Sequence, residues 1–366
     1  MISFSDEQAM LLESAVRFCR EKSPVSTVRS LLASETGFDE NLWNEMTALG
    51  WTGIAVPEHH GGTGLSIAEA AIIAEPMGRH LLATPFVGTQ LFVQGLLAAG
   101  GNGPWLERIA AGGVGTVALF EADGAWDLAN VETTATRMGQ TLTLSGIKTL
   151  VCDAAAAEVF LVSALLDNTP VLAIVPATGL PPGAIQRETV IDQTRRSYRL
   201  DLTGCEIPAA ALIDNPAAGF RAIRDAALLL ASAEAAGGIA AVLDLTVEYL
   251  NTRTAFGRKI GGFQSLKHTC ADILVGLERT RSHLYHAISL TSVGEDAEIA
   301  SRMAKACSGD TFTVAGDRAV QFHGGFGFTF ECDAQLFLRR SIWLDYWFGD
   351  AAHHRRKLAD LLLPRP

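Results

Sequence analysis

Two short segments in the last third of the chain bring together residue types that suit a large anionic ligand. In the first, Arg253 precedes Phe256 and Gly257, with Ile260 and Gln264 further on; in the second, Gln321 is followed by Gly324, Gly325 and Gly327. Arg253 offers a forked, permanently charged donor that can grip a pyrophosphate, and Phe256 a face for a planar ring. Gln264 and Gln321 supply amide donors and acceptors for polar edges, while the glycines let backbone amides approach a phosphate with no side chain between. Each part has a plainer explanation when taken alone. An arginine close to a helix C-terminus complements the dipole or stays solvated, and a Gly-Gly-Phe-Gly run forms a tight turn. The run also lacks the GxGxxG spacing of a dinucleotide-binding strand and helix.

The chain that must position these residues has 366 residues, 48% hydrophobic and 19% charged, which is enough for a large core and two or three domains. Disorder is not expected. A net charge of −11 argues against a general nucleic-acid surface, because phosphate neutralisation needs clustered Lys and Arg. Cys19, Cys152, Cys205, Cys270, Cys307 and Cys332 are scattered, with no CxxC pair, so they read as reduced, mostly buried thiols and not as a disulfide frame or zinc site. The N-terminus shows neither a basic n-region nor a long apolar stretch, and no secretion signal is expected. The most apolar helical stretch, around Ala226 to Leu245, holds Glu234 and Asp244 and suits a buried bundle helix better than a membrane span. A cytoplasmic enzyme is expected.

Periodicity divides the chain into three parts. From Ser5 to about Gly113 it is helical: Ser5 can cap a helix carrying Met10, Leu11, Ala15 and Phe18, and Leu42 to Leu49 and Ile67 to Leu82 repeat the pattern. Between about Val114 and Pro216 the period becomes two. Thr141 to Ser145 alternates after a turn at Met138-Gly139-Gln140, and Glu158 to Val162, Val171 to Val175 and Ser197 to Leu202 read as further strands. From Gly219 long helices return, with Val242, Leu243, Leu245, Thr246, Tyr249 and Leu250 on one stripe. Asp272, Ile273, Val275, Gly276, Leu277 and Leu284 belong to the next helix of an antiparallel bundle. The expected domains are 1–113, helical; 114–216, β; and 217–366, a helical bundle.

The segments Arg253-Thr254-Ala255-Phe256-Gly257 and Gln321-Phe322-His323-Gly324-Gly325, on this domain order, resemble the FAD-binding signatures of the acyl-CoA dehydrogenase family. The glycine-rich loop after Val56-Pro57-Glu58 is similar to that family's N-terminal pattern, so the resemblance covers nearly the whole chain. It implies an α+β fold with an N-terminal helical domain, a middle β-barrel or sandwich and a C-terminal four-helix bundle. It also implies FAD held by Arg253, Phe256, Gln264, Gln321, Gly324 and Gly325 across a subunit interface, hence an obligate oligomer, a dimer of dimers. The implied reaction removes an α proton from an acyl-CoA thioester with a carboxylate while the β hydride passes to the flavin. An electron-transferring flavoprotein is the implied acceptor.

The same resemblance exposes what is missing. The family's catalytic carboxylate precedes a glycine that here is Gly349, and the residue is Phe348, which cannot accept a proton. The alternative base position, on the first long helix of the bundle, falls at about Ala227; Ala227 and Leu228 are inert, and Glu234 further on reads as structural. The family's Thr-Glu-Pro-x-Ala-Gly-Ser-Asp run near the flavin survives only in fragments, as Leu119 to Asp127, and its Trp-Ile-Thr segment matches Leu150-Val151-Cys152. Asp345 and Asp350 flank the lost position, and Asp350 is a substitute base only with a shifted loop; otherwise it caps a helix. His353 and His354, ahead of Arg355, Arg356 and Lys357, read as an exposed basic helix end.

Three readings follow. The first is one subunit of a two-gene acyl-CoA dehydrogenase acting on steroid side-chain CoA thioesters, its homologous partner supplying the glutamate. The second is a self-sufficient dehydrogenase or oxidase using a base such as Asp350. The third is a non-catalytic scaffold.

Overall fold

The computed structural model describes residues 4–101 and 103–363. Six helices open the chain: α1 (Asp6–Lys22), α2 (Val25–Leu31), α3 (Glu40–Ala48), α4 (Ile67–Arg79), α5 (Phe86–Ala98) and α6 (Gly103–Ala110). Ser5 starts α1 through a reciprocal cap: its hydroxyl accepts the Gln8 N–H at 3.1 Å, and the Gln8 side chain accepts the Ser5 N–H at 3.2 Å. Ala15, Phe18 and Cys19 form the buried face of α1. Met10, expected on that face, is exposed, because a two-turn stripe fixes the period of an amphipathic helix but not the width of its buried side.

Nine strands follow: β1 (Gly115–Ala118), β2 (Thr134–Met138), β3 (Thr141–Ser145), β4 (Ile147–Cys152), β5 (Val159–Leu166), β6 (Thr169–Pro176), β7 (Ile185–Arg187), β8 (Ser197–Asp201) and β9 (Cys205–Pro208). One sheet runs β1-β5-β2-β3-β9 with β6 on β5, and a smaller antiparallel sheet runs β4-β8-β7. β5 pairs along its whole length with β6 and in parallel with β1 and β2, which explains its near-continuous apolar sequence. The hairpin from β5 to β6 turns through Asp167 and Asn168, both with positive φ, as a two-residue turn of the mirror-image type requires.

The rest is helical: α7 (Pro216–Thr252), α8 (Gln264–Ser292), α9 (Glu298–His323), α10 (Ala334–Tyr346) and α11 (Ala351–Leu362). Helices α7 to α10 form the bundle, and α11 packs on α9. Between α7 and α8 a two-stranded hairpin joins β10 (Thr254–Ala255) to β11 (Arg258–Lys259). On α8, Ile273, Gly276, Leu277 and Leu284 are buried as expected, but Asp272 and Val275 face outward.

Helix α7 is the centre of the molecule. It is long and apolar enough to span a membrane by length and composition, yet 94% of that stretch is enclosed by protein, so it is a core helix. Its close approach to α4 depends on glycine: a Cβ on Gly237 would lie 1.8 Å from the Glu75 carbonyl oxygen, and one on Gly78 2.0 Å from that of Glu234. In an open helix, Gly→Ala stabilises by about 1 kcal/mol. At this crossing the sign should reverse. We expect Gly237→Ala to lower unfolding free energy by about 1–3 kcal/mol through overpacking, measured by urea denaturation followed by circular dichroism; a stabilised variant would show that α4 and α7 are not held at this distance.

Candidate flavin-gripping end and the closed crevice

Helices α7 and α9 end beside each other. The Tyr249 ring stacks on His323 at 4.1 Å, and its hydroxyl donates to the His323 carbonyl at 3.4 Å. Arg253 leaves α7 in extended conformation, and its carbonyl accepts the Ile260 N–H at 3.0 Å, closing the hairpin that leads to Gln264 at the start of α8. Phe256 and Gly257 form the turn with φ of 52° and 74°, a conformation that costs a bulky residue about 1–3 kcal/mol. Phe256 is nonetheless 92% exposed, and its nearest ring contact is Phe263 at 6.2 Å.

The sequence-predicted binding residues thus gather at one end of the bundle, and all six are solvent-facing. Arg253, Gln264 and Gln321 are exposed and make no side-chain hydrogen bond among the described residues. Gly324 has a φ of 64°, and a Cβ on Gly324 or Gly325 would meet nothing within 4 Å. A forked cation, two free amides, an open backbone and a projecting ring fit a flavin nucleotide that approaches from outside the chain.

The position where a base is expected is built differently. Phe348 lies in the turn between α10 and α11 with φ of 59° and is buried edge-to-face against Phe120 at 4.9 Å and Trp347 at 4.8 Å. Lys305 of α9 fixes this turn by donating to the carbonyls of Asp345 at 2.8 Å and Gly349 at 2.7 Å, and burial pushes its ammonium down to about 8. Asp350 accepts the His353 N–H at 2.6 Å and caps α11, so its carboxylate has a structural use. Asp345 is half-buried beside Lys305; burial raises its carboxyl above the ordinary range, against the pull of the ammonium.

The expected exposed basic end is corrected in part. His354 is buried, with Nδ1 3.2 Å from the Arg302 guanidinium, and burial together with the Lys305 and Arg302 charges drives it down to about 3. His353 is half-buried under the edge of Trp126, and only Arg355, Arg356 and Lys357 are exposed. Trp126 itself crosses from the β domain, its indole N–H donating to the Tyr346 carbonyl at 3.0 Å.

Elsewhere, Cys152 and Asp153 at the end of β4 share a crevice with Glu234 of α7 and Trp343 and Trp347 at the end of α10. The space left between them is about 10 Å³, at the limit for a single water. Arg195 fills it, ion-paired to Glu234; Arg340 pairs with Asp192, donates to the Thr194 hydroxyl at 2.5 Å and stands 4.0 Å from Glu234. Ala227 is fully buried on α7, and no proton acceptor stands near it in Leu228, Leu229 or Leu230. Burial pushes the Cys152 thiol far above its ordinary value, leaving it inert. Glu121, the acid within the Leu119–Asp127 segment, is committed to Lys148 and to the N–H groups of Glu132 at 3.1 Å and Thr133 at 3.0 Å. Sequence reasoning missed Arg195, Asp192, Arg340, Lys305 and Trp126. The available signal was charge in otherwise apolar runs, as at Lys305 and Arg340.

Residues 5–112 match the acyl-CoA dehydrogenase N-terminal domain and residues 225–363 the C-terminal domain. Acyl-CoA dehydrogenase IpdE2 of Mycolicibacterium smegmatis is 30% identical over 97% of this chain and 98% of its own, and IpdE2 of Mycobacterium tuberculosis is 29% identical over 92% of this chain and 91% of its own. Among solved structures, a variant of the Tcur3481-Tcur3483 steroid ACAD superposes with a TM-score of 0.88 at 27% identity, covering 98% of each chain. The ChsE4-ChsE5 complex from Mycobacterium tuberculosis gives 0.90 at 23% identity over 100% of each, a likeness of fold. The helical, β-sheet and bundle order is therefore that of a known class of oxidoreductase. The chain belongs to the acyl-CoA dehydrogenase family.

Asp153 sets a pH test of the closed crevice. Burial raises its carboxyl to about 7, with Arg195 and Arg196 pulling the other way. The folded state then binds a proton that the unfolded chain releases near pH 4, so this group's contribution to stability falls as pH rises from about 4 to 7 and is flat above. His354 acts oppositely, its contribution being lost as pH falls below 6.5 toward 3, but equally in wild type and variant. Asp153→Asn, which tolerates the positive φ at this position, should gain stability relative to wild type between pH 4 and 7; a pH-independent difference in urea midpoints would place Asp153 in open water.

Proposed function

We propose that this chain is the base-less subunit of a two-subunit acyl-CoA dehydrogenase, gripping an FAD whose ring-facing wall and catalytic carboxylate belong to a homologous partner. The observation that carries this is a contrast: the gripping residues are exposed and unpaired, while the position of the expected base holds Phe348, buried against Phe120 and Trp347. Similarity to IpdE2 supports an acyl-CoA substrate, and similarity to the Tcur3481-Tcur3483 steroid ACAD supports a steroid-derived CoA thioester. In this reading domains 1–113 and 114–216 are scaffold and domain 217–366 is the interface of an α2β2 assembly. Scattered free thiols suit a reducing cytoplasm.

FAD, once bound, would take up the β hydride while the partner's carboxylate removes the α proton. The work of this chain is positional. Arg253 would neutralise the pyrophosphate, Gln264 and Gln321 would hold polar edges, Phe256 would lie against a ring and the Gly324-Gly325 backbone would admit the phosphates. Helix α7 and the β10–β11 hairpin hold the Arg253 backbone at a fixed place, so that only its side chain remains to be ordered on binding. Asp350 as a self-sufficient base is disfavoured by its cap to His353, and a purely structural role is disfavoured by polar side chains with no internal partner.

The visible spectrum tests the assignment. The co-purified pair should carry about one FAD per pair and this chain alone little, and Arg253→Gln should weaken FAD retention by the pair about 10–100-fold, the loss of one charge-assisted contact. Phe348→Glu in the chain alone should not restore dehydrogenation, since a carboxylate there still lacks the flavin-ring wall that the partner supplies. Full turnover by the homo-oligomer would overturn the proposal.

A further inference from the structure

The exposed arc that offers Gly324 and Gly325 to solvent has few fastenings of its own. It leaves α9 at Gly324, whose N–H donates to the Gln321 carbonyl, and re-enters the core at Cys332 and Ala334. Between those points Phe326, Phe328 and Phe330 are 47%, 73% and 60% exposed, so apolar packing does little to seat them. The backbone bonds of the arc are successive turns: the Gly327 N–H donates to the Gly324 carbonyl at 2.9 Å, Thr329 to Phe326 at 3.0 Å and Cys332 to Thr329 at 3.2 Å. Such bonds set how the arc curls and not where it sits on the bundle. With a φ of 64° at Gly324 and nothing within 4 Å of a Cβ on either glycine, Gly324 and Gly325 add freedom.

A fastening comes from another domain. Arg29 of α2 donates to the Asp333 carboxylate through Nε at 3.1 Å and Nη2 at 2.7 Å, and through Nη1 to the Phe330 carbonyl. Its guanidinium carbon lies 5.1 Å from the centre of the Phe330 ring, and its side chain is only 19% exposed. One planar fork therefore holds two points of the arc at once, which the single ammonium of a lysine cannot reproduce.

Helix α2 has seven residues, too few to persist as a helix unaided. Arg196, just before β8, is buried and grips its end, donating to the carbonyls of Leu31 at 2.6 Å, Leu32 at 3.0 Å and Ser34 at 3.0 Å. A cation there also complements the negative end of the helix. The Tyr198 hydroxyl of β8 adds a bond to the Glu35 carbonyl at 2.8 Å. Arg29 thus stands on a segment that the β domain holds from behind, and it passes that rigidity to the arc.

We infer that Arg29 is a positioning residue for the flavin-gripping end. By tying Phe330 and Asp333 to α2 it sets the Gly324-Gly325 backbone where a pyrophosphate is received before the ligand arrives, so less ordering remains to be done on binding. It acts through the backbone of the arc and not on the flavin. The inference rests on the reading of this end as an FAD grip and gives the N-terminal helices a part in it beyond scaffold. The competing role for Arg29 is electrostatic, neutralising Asp333 so that its carboxylate does not repel the phosphates.

Amide hydrogen exchange of this chain alone, together with FAD titration of the flavin-stripped pair by fluorescence quenching, tests the inference. In Arg29→Met we expect the Gly327, Thr329 and Cys332 amides to exchange at least tenfold faster, with α7 and α9 protected as in wild type, and the pair to bind FAD at least fivefold more weakly. Arg29→Lys should recover only part of that affinity, and Arg29→Met/Asp333→Asn should stay weak; full recovery in either would assign a charge effect and overturn the positioning role. Unchanged exchange in the arc, or exchange quickened equally throughout the chain, would overturn it as well. Arg253→Gln should lose FAD affinity with exchange of the arc unchanged. A pair that loses FAD in Arg253→Gln but keeps full affinity in Arg29→Met would overturn this inference alone, whereas a wild-type pair that binds no FAD would overturn the subunit assignment and this inference with it.

Discussion

Burial of α7 on almost every face is the constraint from which the rest of the structure follows. A helix of 37 residues with almost no polar face must be covered all round, and α4, α5, α8, α9 and α10 do so. Its three regions then do three things. The N-terminal turns tie Arg224 to Glu298 of α9, the middle carries Glu234 into the closed crevice, and the C-terminal end delivers Arg253 to solvent. Since α7 and α4 touch through glycine, these regions are fixed relative to the N-terminal helices to within a fraction of a side chain.

The second organising element is buried charge. Arg195–Glu234, Arg340–Asp192 and Lys148–Glu121 are all nearly inaccessible, and Lys305 is held by two carbonyls beside Asp345. Such groups seldom add net stability over an apolar filling, but breaking one partner is strongly destabilising. Their effect here is on geometry. Arg195 and Arg340 tie the segment before β8 to α7 and α10, and Lys305 holds Phe348 in its positive-φ turn.

Local chemistry made some of the chain legible. The Ser5 cap, strand β3 and the glycine turns depend on neighbours within a few residues, and they stand where their sequences indicate. Strands β2 and β4 left no such trace. β2 is mostly exposed, so it lacks apolar alternation, and β4 is interrupted by Lys148, whose burial makes sense only once Glu121 is beside it. Met10 and Val275 fit the helical period yet face outward, because spacing along one helix does not say which neighbour covers which side.

By itself the sequence determined that Arg253, Phe256, Gln264, Gln321 and the following glycines are present and that position 348 carries no proton acceptor, since residue type and spacing are properties of the chain. Tertiary structure decided that those residues are exposed together, that Asp350 is committed to a helix cap and that His354 is buried beside Arg302. It also decided that the crevice is shut. Glu234 meets Arg195, and Arg340 meets Asp192, only after the β domain docks on the bundle; the cost of burying each charge, and hence its role, is set by that distant partner and not by its neighbours in sequence.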